Sequence, residues 1–201
     1  MPRLEGAAVT REQFLLREMR IACQLKRDGL SDSEIVAKIK NENLIQYPTE
    51  RMVGNMARVC VKRINAVASD DIVRIIATGD HDAASQANLY AMMCTYPLVR
   101  HFMIDEVARH YSELDYTLGA MEMGSYMTRL QVEFENIADV TDATIAKIKQ
   151  VLRKSLIECG MLANAQSSEL IPIIMDYEVR EAIEAKGDLS ALPAFNCQGV
   201  F

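Results

Sequence analysis

The stretch Thr49–Val67, TERMVGNMARVCVKRINAV, decides how the rest of the chain is read. At roughly 100° per residue on a helix, Arg51, Asn55, Arg58 and Lys62 fall within about 60° of one another, with Met52, Met56, Val59 and Cys60 on the other side. One face can pack while the opposite one presents three cations and an amide. A row of donors of this kind suits a phosphate backbone with base edges beside it. An ordinary solvated face is the plainer reading of such a stripe, so its neighbours matter. Arg63 lies about 110° from the stripe, beside the apolar side, and is expected to partner a buried or interfacial carboxylate.

Outward from this helix, composition points to an all-α protein. The chain has 201 residues, half of them apolar, with only 9 Gly, 5 Pro and no Trp. That length allows one sizeable domain or two small ones with a real core. The net charge is −6, but residues 1–65 hold twelve Lys/Arg against eight Asp/Glu, and the remainder ten against twenty. A locally basic field can dock on a polyanion while the acidic remainder limits indiscriminate binding. The composition therefore predicts a basic N-terminal helical unit, residues 1–67, and an acidic C-terminal helical unit, residues 68–201.

Five cysteines without a CxxC pair (Cys23, Cys60, Cys94, Cys159, Cys197) read as reduced, mostly buried thiols of a cytoplasmic protein. The start, MPRLEGAAVT, has no apolar stretch behind its arginine and is not read as a secretory signal. Ala83–Val99, the longest stretch without a charged residue, is broken by Ser85, Gln86, Asn88, Thr95 and Pro97. No membrane span is expected there.

Local signals place the helices. A capping box at Thr10 and Gln13 predicts a first helix ending near Asp28-Gly29, with Arg17, Arg20, Gln24 and Arg27 as a second basic stripe. Ser31 and Glu34 predict a second box and a short helix, and residues 41–48 then connect to the Thr49 cap. The pair resembles a helix-turn-helix, although a connection of about eight residues exceeds the usual three or four. Ser69 with Asp70 and Asp71 caps a further helix, and others are expected from Asp80 to about Tyr96, from Pro97 and over Leu118–Phe134. Thr141 and Asp142 open an amphipathic helix, with Ile145, Ile148, Leu152 and Leu156 inward, that stops before Gly160. Lys147, Gln150 and Lys154 decorate its outer side, with Arg153 at the margin. A small hairpin is expected within residues 161–172, and a last helix over Asp176–Lys186.

Signatures of catalysis are not found: the chain has no GxGxxG, Walker, GxSxG or HExxH motif. His101 and Asp105 read as a surface ion pair rather than a metal site, and His81 as a helix-start feature. The chain is therefore expected to be no enzyme, with no catalytic residue, metal or cofactor. The twelve methionines read mostly as core filler, with Met121, Met123 and Met127 as candidates for an adaptable surface.

Three segments, in order and spacing, resemble the BrxA family of BREX bacteriophage-exclusion systems: ENLIQYPTERMVGNMARVCVKRINAV (Glu42–Val67), ASQANLYAMMCTYPLVRHFMIDEVAR (Ala84–Arg109) and VTDATIAKIKQVLRKSLIECGML (Val140–Leu162). The last carries Asp142, Thr144, Lys147 and Gly160 in an Asp-x-Thr-x-x-Lys pattern before a Leu-rich helix ending in Gly. The resemblance covers roughly residues 10–185. It implies a small all-helical protein similar to the NusB fold, acting beside a DNA methyltransferase and ATPase-like components in phage defence. It also implies association with duplex DNA rather than catalysis.

Together these readings predict a non-catalytic binder of double-stranded DNA. Arg51, Asn55, Arg58 and Lys62 would face the duplex, and Arg17, Arg20 and Arg27, or Lys147 and Lys154, would reach flanking phosphates. Weak sequence preference and a steep salt dependence are expected. A scaffold that binds other BREX subunits through its acidic part, and a NusB-like RNA binder, are the alternatives.

Overall fold

The computed structural model describes residues 3–5 and 7–197. They form α1 (Leu16–Arg27), α2 (Asp32–Asn41), α3 (Glu50–Val67), α4 (Asp70–Thr78), α5 (His81–Thr95), α6 (Pro97–His101), α7 (Ala108–Glu113), α8 (Ala120–Glu133), α9 (Glu135–Ala138), α10 (Asp142–Glu158) and α11 (Tyr177–Ala185). A π-helical turn, Phe102–Val107, joins α6 to α7, and short 3-10 segments cover Ala7–Thr10 and Leu189–Phe195. The protein is all-α, as the composition predicts, and among the described residues the only β-type pairing is an isolated bridge between Thr117 and Glu169.

The chain divides into two compact units. One comprises residues 15–95 and 176–187, hence α1–α5 with α11; the other comprises residues 1–14, 96–175 and 188–201, hence α6–α10. The step in charge after Val67 is therefore not a boundary between these units: α4 and α5 pack on α1 and α3 and belong with them.

In the first unit α5 is the central helix. Every residue from Ala83 to Met93 is buried, whichever way it points. A helix buried on every side has no room for unpaired charge, which explains the long uncharged stretch in the sequence. Around it the caps form where the sequence places them. Ser31 and Glu34 make a reciprocal capping box, and the Thr49 and Ser69 hydroxyls accept from the backbone N–H groups of Met52 and Ile72. Each such cap satisfies a donor that the helix leaves open, typically for about 1 kcal/mol.

Helix α1 starts later than its expected box. Ala7–Thr10 is a 3-10 turn, Leu15 takes a left-handed conformation (φ 56°), and α1 begins at Leu16 with no side-chain cap. The division between units falls at this point.

In the second unit the hairpin expected within residues 161–172 does not form. Residues 161–176 instead run as turns and extended chain, whose backbone groups pair mostly with the chain at residues 116–118 and with side chains rather than with each other. The Arg153 guanidinium donates to the carbonyls of Leu118 (3.1 Å), Ala165 (3.1 Å) and Ser167. Leu118 N–H donates to Ser168 O at 2.7 Å, and Tyr111 Oη donates to Ile171 O at 2.9 Å. Arg100 holds Asp188 through two bonds of 2.8 and 2.6 Å, tying down the 3-10 segment. Such paired guanidinium–carboxylate bonds are among the stronger surface contacts.

Candidate nucleic-acid interface

Helix α3 carries the candidate site. Arg51, Asn55, Arg58 and Lys62 are all exposed, while Val53, Ala57, Cys60, Ile64 and Val67 are buried against the unit. The buried face is not quite the one expected, since Met52 is 45% exposed and Met56 only half-buried. Packing is centred on Val53, Ala57 and Cys60, spaced by three and four residues, and Met52 falls at its edge.

Lys40, in the last turn of α2, extends the ridge. With Glu50, Arg51, Gly54, Asn55 and Arg58 it lines a shallow cleft of about 380 Å³. Lys40 lies 3.4 Å from the Glu50 carboxylate across the start of α3. The buried Gly54 forms the floor: an added Cβ would stand 3.7 Å from Arg58 Nη1 and 3.8 Å from Lys40 Cδ. Sequence spacing within α3 gives no sign of Lys40, because it comes from another helix. Its place near the C-terminal end of α2, where cations are favoured, is the only hint.

The connection between α2 and α3, residues 42–49, is fastened from within. The Asn43 side chain exchanges two hydrogen bonds of 3.1 Å with the Tyr47 backbone, and Ile45 is buried. Tyr47 Oη donates to Glu18 at 3.1 Å, and burial with the Glu18 charge pushes the phenol up to about 12. Asn65 and Lys26 both donate to Asp32, at 2.6 and 2.9 Å, and hold its carboxyl below the usual carboxylate range. These contacts fix α2 against α3, so the longer-than-usual connection does not loosen the pair.

Arg63 takes no part in the ridge. It is fully buried, and its positive charge and the negative charge of the buried Glu18 both act on Cys60. Burial dominates there and pushes the Cys60 thiol up to about 12, so it stays protonated near neutral pH.

The flanking cations separate into two kinds. Arg17 is exposed and donates to Gln46 at 3.1 Å, and Arg27 lies exposed at the end of α1. Arg20 turns instead onto the carbonyls of Gly79 (2.6 Å) and Asp80 (2.8 Å), where it caps the C-terminal end of α4. Lys147 and Lys154 are exposed on α10 of the other unit, Lys154 reaching Gln13 at 3.4 Å.

Elsewhere the titratable clusters are internally matched. His101 Nδ1 lies 3.1 Å from Tyr126 Oη and 3.6 Å from Asp105, which makes it part of a packed aromatic group. His81 opens α5. Among the described residues no group of three or more His, Cys, Asp or Glu is arranged to hold a metal ion, and no helix is long and apolar enough to cross a membrane.

Comparison with known proteins agrees with this picture of the fold. A crystal structure of an uncharacterized protein from Magnetospirillum magneticum superposes with a TM-score of 0.83, covering 98% of this chain and 100% of that one at 17% identity. A BREX protein BrxA from Bacillus cereus (strain H3081.97) is 27% identical over 176 residues, 87% of this chain and 88% of that protein. The BrxA family model matches residues 6–187, and on that extent the chain belongs to the BrxA family.

Proposed function

We propose that this protein is a non-catalytic component of a BREX-type bacteriophage defence system that binds duplex DNA, mainly through the phosphate backbone. One observation carries the reading. The four polar side chains spaced along α3 are all exposed on one ridge, joined by Lys40, whereas Arg63 and Glu18 beneath them are buried. Cations kept at the surface can exchange small counterions for phosphates, which is the source of affinity for a polyanion. The ridge is dominated by hydrogen-bond donors, which suits binding to an anionic polymer. The relationship to a BREX protein BrxA supports a role in phage defence.

A second reading is a subunit-docking role toward other BREX components. It draws on the outer face of α8, where Met121 and Val132 are 76% and 71% exposed and lie about 20° apart on the helix. Met123 and Met127 are buried and belong to the core.

The test is a mobility-shift titration at two salt concentrations with wild type and an Arg51→Ala/Arg58→Ala/Lys62→Ala variant, with structured RNA as competitor. The variant is expected to bind more weakly, with a salt slope lower by roughly 3 if all three cations neutralise phosphates. Binding equal to wild type would remove the ridge as the site. No shift by either protein at low salt would leave the docking role, and preferential displacement by RNA would change the polymer.

A further inference from the structure

The ridge is chemically one-sided, and its one ambivalent group is already committed. Arg58 Nη1 donates to Asn55 Oδ1 at 3.2 Å, one turn apart on the same face of α3. A guanidinium carries no acceptor, so the Asn55 atom facing it is the carbonyl oxygen, and the two N–H bonds of Nδ2 take no part in this contact. Arg58 uses one of its five N–H bonds in this contact and keeps four. Arg51 and Lys62 add donors only, and the carboxylate at this end of the ridge, Glu50, lies against Lys40.

A free asparagine reads adenine through both ends of its amide, accepting from N6 and donating to N7. With one of the two lone pairs of Oδ1 taken by Arg58 and the amide turned toward it, that pairing is weakened. Apart from the Glu50 carboxylate beside Lys40, the ridge offers mainly donors, which match the two adjacent acceptors of guanine, O6 and N7, better than the amino groups of adenine or cytosine.

We propose that, on top of its phosphate contacts, the ridge prefers guanine edges in the major groove, and that Arg58 sets this preference by holding the Asn55 carbonyl. The inference rests on the duplex-binding reading above. It adds a base preference to an interface otherwise expected to show little.

Competition titrations test it, using short duplexes of equal length whose central steps are either GG or AA, with a third in which 7-deazaguanine replaces the central guanines. The analogue keeps base pairing and O6 but lacks the N7 acceptor. Wild type should favour the GG duplex by roughly fivefold, near the lower end of what one bidentate base contact discriminates, and should lose most of that margin with 7-deazaguanine. Arg58→Ala should bind all three more weakly and shift its preference toward the AA duplex, because the Asn55 amide is released from the contact that turns it. Arg58 is exposed, so the variant is expected to fold, and the helical circular dichroism band checks this.

Salt-dependent binding that requires the ridge but is indifferent to GG, AA and 7-deazaguanine would overturn the base preference and leave duplex binding intact. A preference for AA by wild type would overturn it as well. Absence of duplex binding at low salt is the separate failure of the underlying reading.

Discussion

The α3 ridge and the surroundings of Glu106 use the same kinds of side chain to opposite ends. On the ridge Arg51, Arg58 and Lys62 stand exposed along one helix. In the other unit Glu106 sits in the π-helical turn at 1% exposure, bonded to Arg129, 3.3 Å from Arg109 Nη2 and 3.5 Å from the buried His110. Arg109 in turn reaches Glu113 at 2.7 Å, and Arg129 lies over the Tyr126 ring. There each charge is answered within the protein, and the cluster welds α7 and α8 around the π turn. The difference teaches what a cationic group is for: charge gathered around a buried carboxylate holds the fold, and charge on an exposed helix face can meet a partner.

Removing the Glu106 carboxylate should have the largest effect. Glu106→Ala removes the buried anion that Arg109, Arg129 and His110 share, and loss of about 2–3 kcal/mol in unfolding free energy is expected from denaturant titration. A loss below about 1 kcal/mol would show the cluster to be no more than a surface contact, and the contrast with α3 would collapse. The triple alanine variant of the ridge is the converse. It should lower duplex affinity by roughly tenfold or more, about 1.4 kcal/mol, and leave unfolding free energy nearly unchanged.

Smaller effects sharpen the comparison by separating backbone strain from charge. Leu114 ends α7 with φ 55° and is 73% exposed. Leu114→Gly relieves the left-handed penalty without losing packing and should raise stability by about 1 kcal/mol, read as a higher midpoint in urea. The smallest change is at the floor of the ridge. Gly54 lies in the helix interior, and an added methyl would meet Arg58 and Lys40 at ordinary contact distances. Gly54→Ala should stabilise by about 0.5–1 kcal/mol, and destabilisation in thermal melts would mean that those two side chains cannot give way.

Much of the fold can be read in the sequence because it is set within a turn of helix. Ser31 with Glu34, Thr49, Ser69, Thr141 and Asp176 each cap the helix they precede, since a hydroxyl or carboxylate reaches N–H groups two or three residues on, whatever lies beyond. The same locality explains the visibility of the α3 stripe. Signals that depend on distant partners were not legible. The Thr10 and Gln13 box gives way to a 3-10 turn, and the expected hairpin to Arg153, which binds carbonyls up to 35 residues away. Arg20 and Arg58 look alike in a charge stripe, yet one caps α4 across 59 residues and the other stays on the surface.

The sequence by itself determined an all-helical chain, the starts of most of its helices and a helix with one cationic face, because periodicity and capping act over a few residues. Tertiary structure alone decided which cations remain outside, that Lys40 joins them from another helix, and that the units divide at residues 14/15, 95/96, 175/176 and 187/188 rather than at the step in charge. The physical reason is that burial and long-range hydrogen bonds depend on which helices meet, and no short stretch of sequence specifies that.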